Sequence, residues 1–211
     1  MEISHEKILI LAPHTDDAEF GCGGSIVKLV ENNCSVHVVA FSIAEESVPD
    51  NVPKNINKQY MKDAMAILGV KEENIIIKNY PVRNFPSVRQ SILEDLVEIN
   101  RKITPSIVFL PSTFDTHQDH QVVSQEGFRA FKKVTILGYE LPWNNLTFTT
   151  NCFIPLQEEH VNKKLNSLQC YISQMGRDYI SKDFLKSVMR TRGGQMGKKY
   201  AEAFELIRLL L

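Results

Sequence analysis

Lys7-Ile8-Leu9-Ile10-Leu11-Ala12, closed by Pro13, decides the fold class of this chain. A strand with one wet face alternates apolar and polar residues. An almost unbroken apolar run needs cover on both faces, which a parallel sheet flanked by helices provides. Proline cannot donate to the ladder and ends the run. Downstream, Gly24 to Asn33 carries Ile26, Val27 and Val30 on one helical stripe and stops at an Asn pair, and Val36 to Ser42 (VHVVAFS) predicts the next strand.

The alternation then repeats. A polar, Pro-containing loop from Ala44 to Asn55 leads into a helix over Ile56 to Leu68, with Tyr60, Met61, Ala64, Met65 and Leu68 on one face. Asn74 to Lys78 predicts a third strand, Val88 to Ile103 a long amphipathic helix, and Ser106 to Leu110 a fourth buried strand. A helix over His120 to Phe131 and a strand over Val134 to Tyr139 complete the series. Beyond Leu141 the pattern weakens into a late strand, Thr147 to Ile154, and helices over Val161 to Met175, Lys182 to Arg190 and Gly197 to Leu211. The expectation is an α/β chain, a Rossmann-like doubly wound and mostly parallel sheet, forming a single domain over residues 1–211.

Composition narrows the function. Of 211 residues, 43% are hydrophobic and 23% charged, which suits one large core rather than two domains. Lys+Arg number 24 against 25 Asp+Glu, so no global field draws the protein to nucleic acid or an anionic membrane. Cys22, Cys34, Cys152 and Cys170 show no CxxC spacing, the N-terminus lacks a signal-peptide layout, and no run is long enough to span a bilayer. A reduced, cytoplasmic protein is expected.

In a sheet of this kind ligands bind beyond the carboxyl ends of the strands, so the loops after Ala12 and Leu110 are where chemistry belongs. The first reads Pro13-His14-Thr15-Asp16-Asp17-Ala18-Glu19-Phe20-Gly21-Cys22-Gly23-Gly24. The second reads Phe114-Asp115-Thr116-His117-Gln118-Asp119-His120. One Asp in a turn before a helix is ordinarily a cap. Imidazoles and carboxylates from two loops on one sheet edge are instead the ligand types of a catalytic zinc, which takes three protein ligands and keeps one position open.

His14-Thr15-Asp16-Asp17 with Gly21, Gly23 and Gly24, followed by His117-Gln118-Asp119-His120, resembles the His-Pro-Asp-Asp and His-x-Asp-His motifs of the PIG-L (LmbE-like) N-acetylglucosamine deacetylases. Arg192-Gly193-Gly194 and Tyr200-Ala201-Glu202-Ala203-Phe204 look like the ending of the bacterial bacillithiol-pathway branch. Thr15 departs from the family's usual Pro and removes no reactive group. The resemblance implies one Zn2+ held by His14, Asp17 and His120, with Asp16 as general base. His117 would stabilise the oxyanion or protonate the leaving amine, and Asp119 would orient one imidazole. It further implies a small N-acetylated sugar conjugate as substrate and a trimer or hexamer as assembly.

Arg83, Arg89, Arg192 and Tyr200 are weaker candidates for substrate contact, the arginines through bidentate forks on a carboxylate or phosphate. Trp143 either forms a substrate wall or packs on the sheet. Three rival functions are a metal-dependent phosphoesterase, a binding protein without turnover and a nucleotide-binding module. The last needs G-x-G-x-x-G, and Ile26 stands where the third glycine belongs.

Overall fold

The computed structural model describes residues 3–174 and 176–210; Met1, Glu2, Met175 and Leu211 lie outside the described residues. Strands β1 (Lys7–His14), β2 (Ser35–Ser42), β3 (Ile75–Ile77), β4 (Ile107–Pro111), β5 (Thr135–Tyr139), β6 (Cys152–Leu156) and β7 (Tyr200–Arg208) form one sheet in the order β3-β2-β1-β4-β5-β7-β6. Five strands, β3 to β5 across the sheet, are parallel, and β7 runs antiparallel to both β5 and β6. The helices are α1 (Asp17–Glu31), α2 (Ile56–Leu68), α3 (Phe85–Ile103), α4 (Gln118–Ala130), α5 (Glu158–Leu168) and α6 (Lys182–Gln195).

β1 shows why the opening run decides the fold. Ile8, Ile10 and Ala12 enter one core with α1, α2 and α5, whereas Leu9 and Leu11 enter a second core with α3 and α4. Because side chains alternate across a strand, an all-apolar strand supplies both layers at once. β1 and β4 are central neighbours, so their carboxyl ends lie side by side.

Two expectations are corrected. Helix α1 begins at Asp17 rather than Gly24, so Gly21, Gly23 and Gly24 lie inside it. A Cβ on Gly21 would stand 2.4 Å from the Tyr139 ring, and one on Gly24 would stand 2.5 Å from Leu156. These glycines bring the helix close to β5 and β6, and no phosphate cradle forms from them.

The chain end from Tyr200 to Arg208 is strand β7, where a helix was expected from Gly197. Its Ala, Glu and Leu residues favour a helix locally, but pairing with β5 and β6 overrides propensity. Glu202 then accepts hydrogen bonds from the backbone of Gly24 (3.0 Å) and Ser25 (2.7 Å) and pairs with buried Lys164 at 2.6 Å. Lys164 also donates to the Phe20 carbonyl at 2.6 Å. The last strand is thus bolted to α1, the helix that follows β1.

Candidate active site

His14 ends β1, and Asp17 opens α1 three residues later; Asp17 Oδ2 accepts the His14 backbone N–H at 2.8 Å. His120 sits in the first turn of α4, after β4. His14 Nδ1, Asp17 Oδ2 and His120 Nε2 form a triangle with sides of 3.2, 3.3 and 3.3 Å. Ligand atoms about 2.0–2.1 Å from a tetrahedral zinc stand about 3.3 Å apart, so these three atoms are spaced as such an ion requires.

The outer nitrogens are held as a metal site needs. His14 Nε2 lies 3.0 Å from Asp119 Oδ2, and His120 Nδ1 lies 2.8 Å from Asp115 Oδ2. A carboxylate only accepts, so each outer nitrogen carries the proton and the inner nitrogens face one another across the triangle. Asp119 therefore orients an imidazole from the other loop, not its sequence neighbours. Asp119 is itself fixed by the backbone N–H groups of Arg83 (2.6 Å) and Phe85 (3.2 Å), with Arg83 in the left-handed region at φ 66°. Asp115 carries no role in the sequence reading; its signal was an acidic residue in the second loop, but two carboxylates and three imidazoles cannot be paired without coordinates.

Charges follow from these contacts. Burial opposes charge on His14, but hydrogen bonds to Asp119 and Asp17 outweigh it and raise its pKa to about 10. Burial likewise opposes ionisation of Asp17, while His120 and His14 pull its pKa down to about 2. Asp16 goes the other way: burial, then the Asp17 charge beside it, push its carboxyl above the usual range, partly offset by a hydrogen bond from Gln174.

His117 caps α4, its Nδ1 accepting the Asp119 backbone N–H at 3.2 Å. Burial and then the charges of His120 and His14 hold its pKa below the ordinary value, so the ring is neutral near pH 7 with its proton on Nε2. His14, His117 and His120 offer nitrogens within 4.8 Å of one another, a group able to hold a metal ion.

These side chains open into a cavity of about 410 Å³ that also includes Asp16, Arg83 and Gln174. Trp143 forms part of its wall, stacked on Tyr179 at 4.5 Å and edge-on to Phe20. The structure does not bring Arg89, Arg192 or Tyr200 there. Arg89 pairs with buried Glu126 between α3 and α4, and Arg192 pairs with Glu140. Tyr200 is buried in β7, its ring flanked by Lys186, Arg190 and Lys199. The Arg192-Gly193-Gly194 and Tyr200–Phe204 stretches meet each other instead: a Cβ on Gly193 would lie 2.7 Å from the Tyr200 backbone. They are packing motifs of α6 on β7.

A mostly parallel sheet with a His/Asp cluster at the ends of two central strands defines the class, an α/β protein with a metal-competent centre. The chain belongs to the PIG-L family (GlcNAc-PI de-N-acetylase), whose profile matches residues 9–131, and is an N-deacetylase by class. It is 28% identical over 167 residues to the uncharacterized deacetylase YaiS of Escherichia coli (strain K12), covering 77% of this chain and 88% of that protein. It overlays N,N'-diacetylchitobiose deacetylase from Pyrococcus horikoshii with a TM-score of 0.81 at 23% identity, covering 95% of this chain and 83% of that one. GalB, the 4-carboxy-2-hydroxymuconate hydratase of Pseudomonas putida, overlays with a TM-score of 0.79 at 18% identity, covering 98% of each chain. At such identities the overlays speak for the fold alone, and the reaction is argued from the residues.

Proposed function

We propose that this protein removes the acetyl group from an N-acetylglucosamine-type sugar conjugate by zinc-assisted hydrolysis. The observation that carries this reading is the 3.2–3.3 Å triangle of His14, Asp17 and His120, with each imidazole backed by a carboxylate. Those three residues would hold the ion, which when bound acidifies a water and polarises the amide carbonyl.

The remaining groups divide the proton work. Asp16 lies in the same cavity outside the triangle, and its raised pKa makes it the stronger base of the adjacent pair. It takes the proton of the attacking water. His117 Nε2–H is the donor for the oxygen on which charge develops, and a neutral ring can do this without charge to spare. Proton delivery to the leaving amine falls to the acid form of Asp16. Of the four substrate candidates only Arg83 lines the cavity, where it meets the conjugate's distal group, and Trp143 also lines it. Four free cysteines support a cytoplasmic setting, and among the described residues no helix is long and apolar enough to cross a membrane.

The test is acetate release from a panel of N-acetylglucosamine conjugates, with the protein stripped by chelator and then reloaded with zinc. Zinc-restored acetate release is the expected result. Absence of release from every conjugate by the reloaded protein would sink the reading.

A further inference from the structure

The short turn after α5 reaches back across the molecule to the first catalytic loop. Tyr171 is fully buried, and its hydroxyl donates to the Thr15 carbonyl at 2.5 Å and lies 2.7 Å from Glu19 Oε1. Three residues further on, Gln174 Nε2 donates to Asp16 Oδ2 at 2.6 Å.

Asp16 stands at the N-cap of α1, yet its side chain makes no capping hydrogen bond. Gln174 is the one side-chain donor on its carboxylate among the described residues, and it binds Oδ2. An amide suits this position because it donates to the carboxylate without neutralising it, as Lys or Arg would, and without repelling it, as Glu would. A reacting group displaced by about 1 Å can lose ~10²-fold in rate, so a base carried on a turn needs such a hold.

We infer that Gln174 is a positioning residue for Asp16, holding Oδ2 so that Oδ1 is presented to the cavity, with Tyr171 fixing the Thr15–Asp16 peptide behind it. This rests on the reading of Asp16 as the base. Gln174 acts through Asp16 and touches no reacting atom.

The test is a double-mutant cycle on the zinc-loaded protein, using Gln174→Met, which keeps the length and removes the donor, with Gln174→Ala as a second variant. Alone, each should lower kcat about tenfold or more while KM and metal stoichiometry stay at wild-type values. In the Asp16→Asn background the same substitution should change the residual rate less than twofold, because its target is already gone. Equal losses in both backgrounds, or a raised KM with kcat intact, would overturn the inference, since Gln174 would then be acting on substrate. If Asp16→Asn abolishes turnover and neither Gln174 variant lowers kcat, this inference alone falls. If Asp16→Asn is fully active, the base assignment falls and takes this one with it.

Discussion

Asp16 and Asp17 are adjacent and line the same cavity, but their carboxylates meet different partners: Gln174 for one, two imidazoles for the other. Asp17→Asn replaces an anionic ligand by a neutral amide, so metal affinity should drop and excess zinc should restore part of the activity. Asp16→Asn should keep a stoichiometric ion and lose ~10²-fold or more in turnover, with no rescue by zinc. Metal titration of both variants in one buffer decides; rescue of Asp16→Asn but not Asp17→Asn would reverse the roles. His117→Ala should also keep its ion and lose ~10²- to 10³-fold in kcat. A metal-free His117→Ala protein would make His117 a ligand. Asp115→Asn leaves one amide oxygen for two donors, the His120 ring and the His117 backbone N–H, and should weaken zinc binding by ~10- to 100-fold, read by competition with a chelating dye.

At the scale of elements, α1 packs closer to the sheet than side chains ordinarily allow. Tyr139 cannot withdraw from Gly21, because its ring is fully buried and its hydroxyl donates to the Leu11 carbonyl at 3.0 Å. Gly21→Ala should therefore destabilise the fold by about 1–3 kcal/mol through overpacking, even though alanine is the better helix former. Urea denaturation measures this directly. An unchanged or raised midpoint would show that α1 can shift outward. The same element explains the failed nucleotide fingerprint. Glycines near a first helix serve a pyrophosphate only when they precede the helix, and here they lie within it.

Across the whole molecule, the metal-competent triangle joins residues 106 positions apart in sequence, so an ion bound there should stabilise the fold as well as the site. At free zinc 100-fold above its Kd the gain should be about 2.7 kcal/mol, and Asp17→Asn should lose it, as thermal or denaturant unfolding would show. Binding should also release protons. His14, with a pKa raised to about 10, carries its extra proton at pH 7, and an ion on Nδ1 must displace it. Calorimetry in buffers of different ionisation enthalpy should find about one proton released per ion at pH 7, declining as pH rises towards the His14 value. No release at pH 7 would mean that His14 is neutral in the metal-free protein.

The sequence by itself determined the parallel part of the sheet, its two-sided core and the two loops that meet at the cavity. Ile8 to Ala12 needs cover on both faces wherever it is placed, and βα loops of a parallel sheet gather at its carboxyl edge. His14, Asp16, Asp17, His117 and His120 were legible because their residue types are concentrated in those loops. Pairings across the sheet were decided by tertiary structure alone. Asp119 serves His14 from 105 residues away and Gln174 holds Asp16 from 158 residues away, contacts that depend on how β1, β4 and the turn after α5 lie together, whereas Asp115 serves His120 within one loop, where residue types alone do not say which carboxylate meets which ring. The chain end shows the same limit in reverse: Tyr200 to Arg208 has helix-forming residues and becomes a strand. The open edge of β5 and the backbone of α1 offered partners that no local window contains.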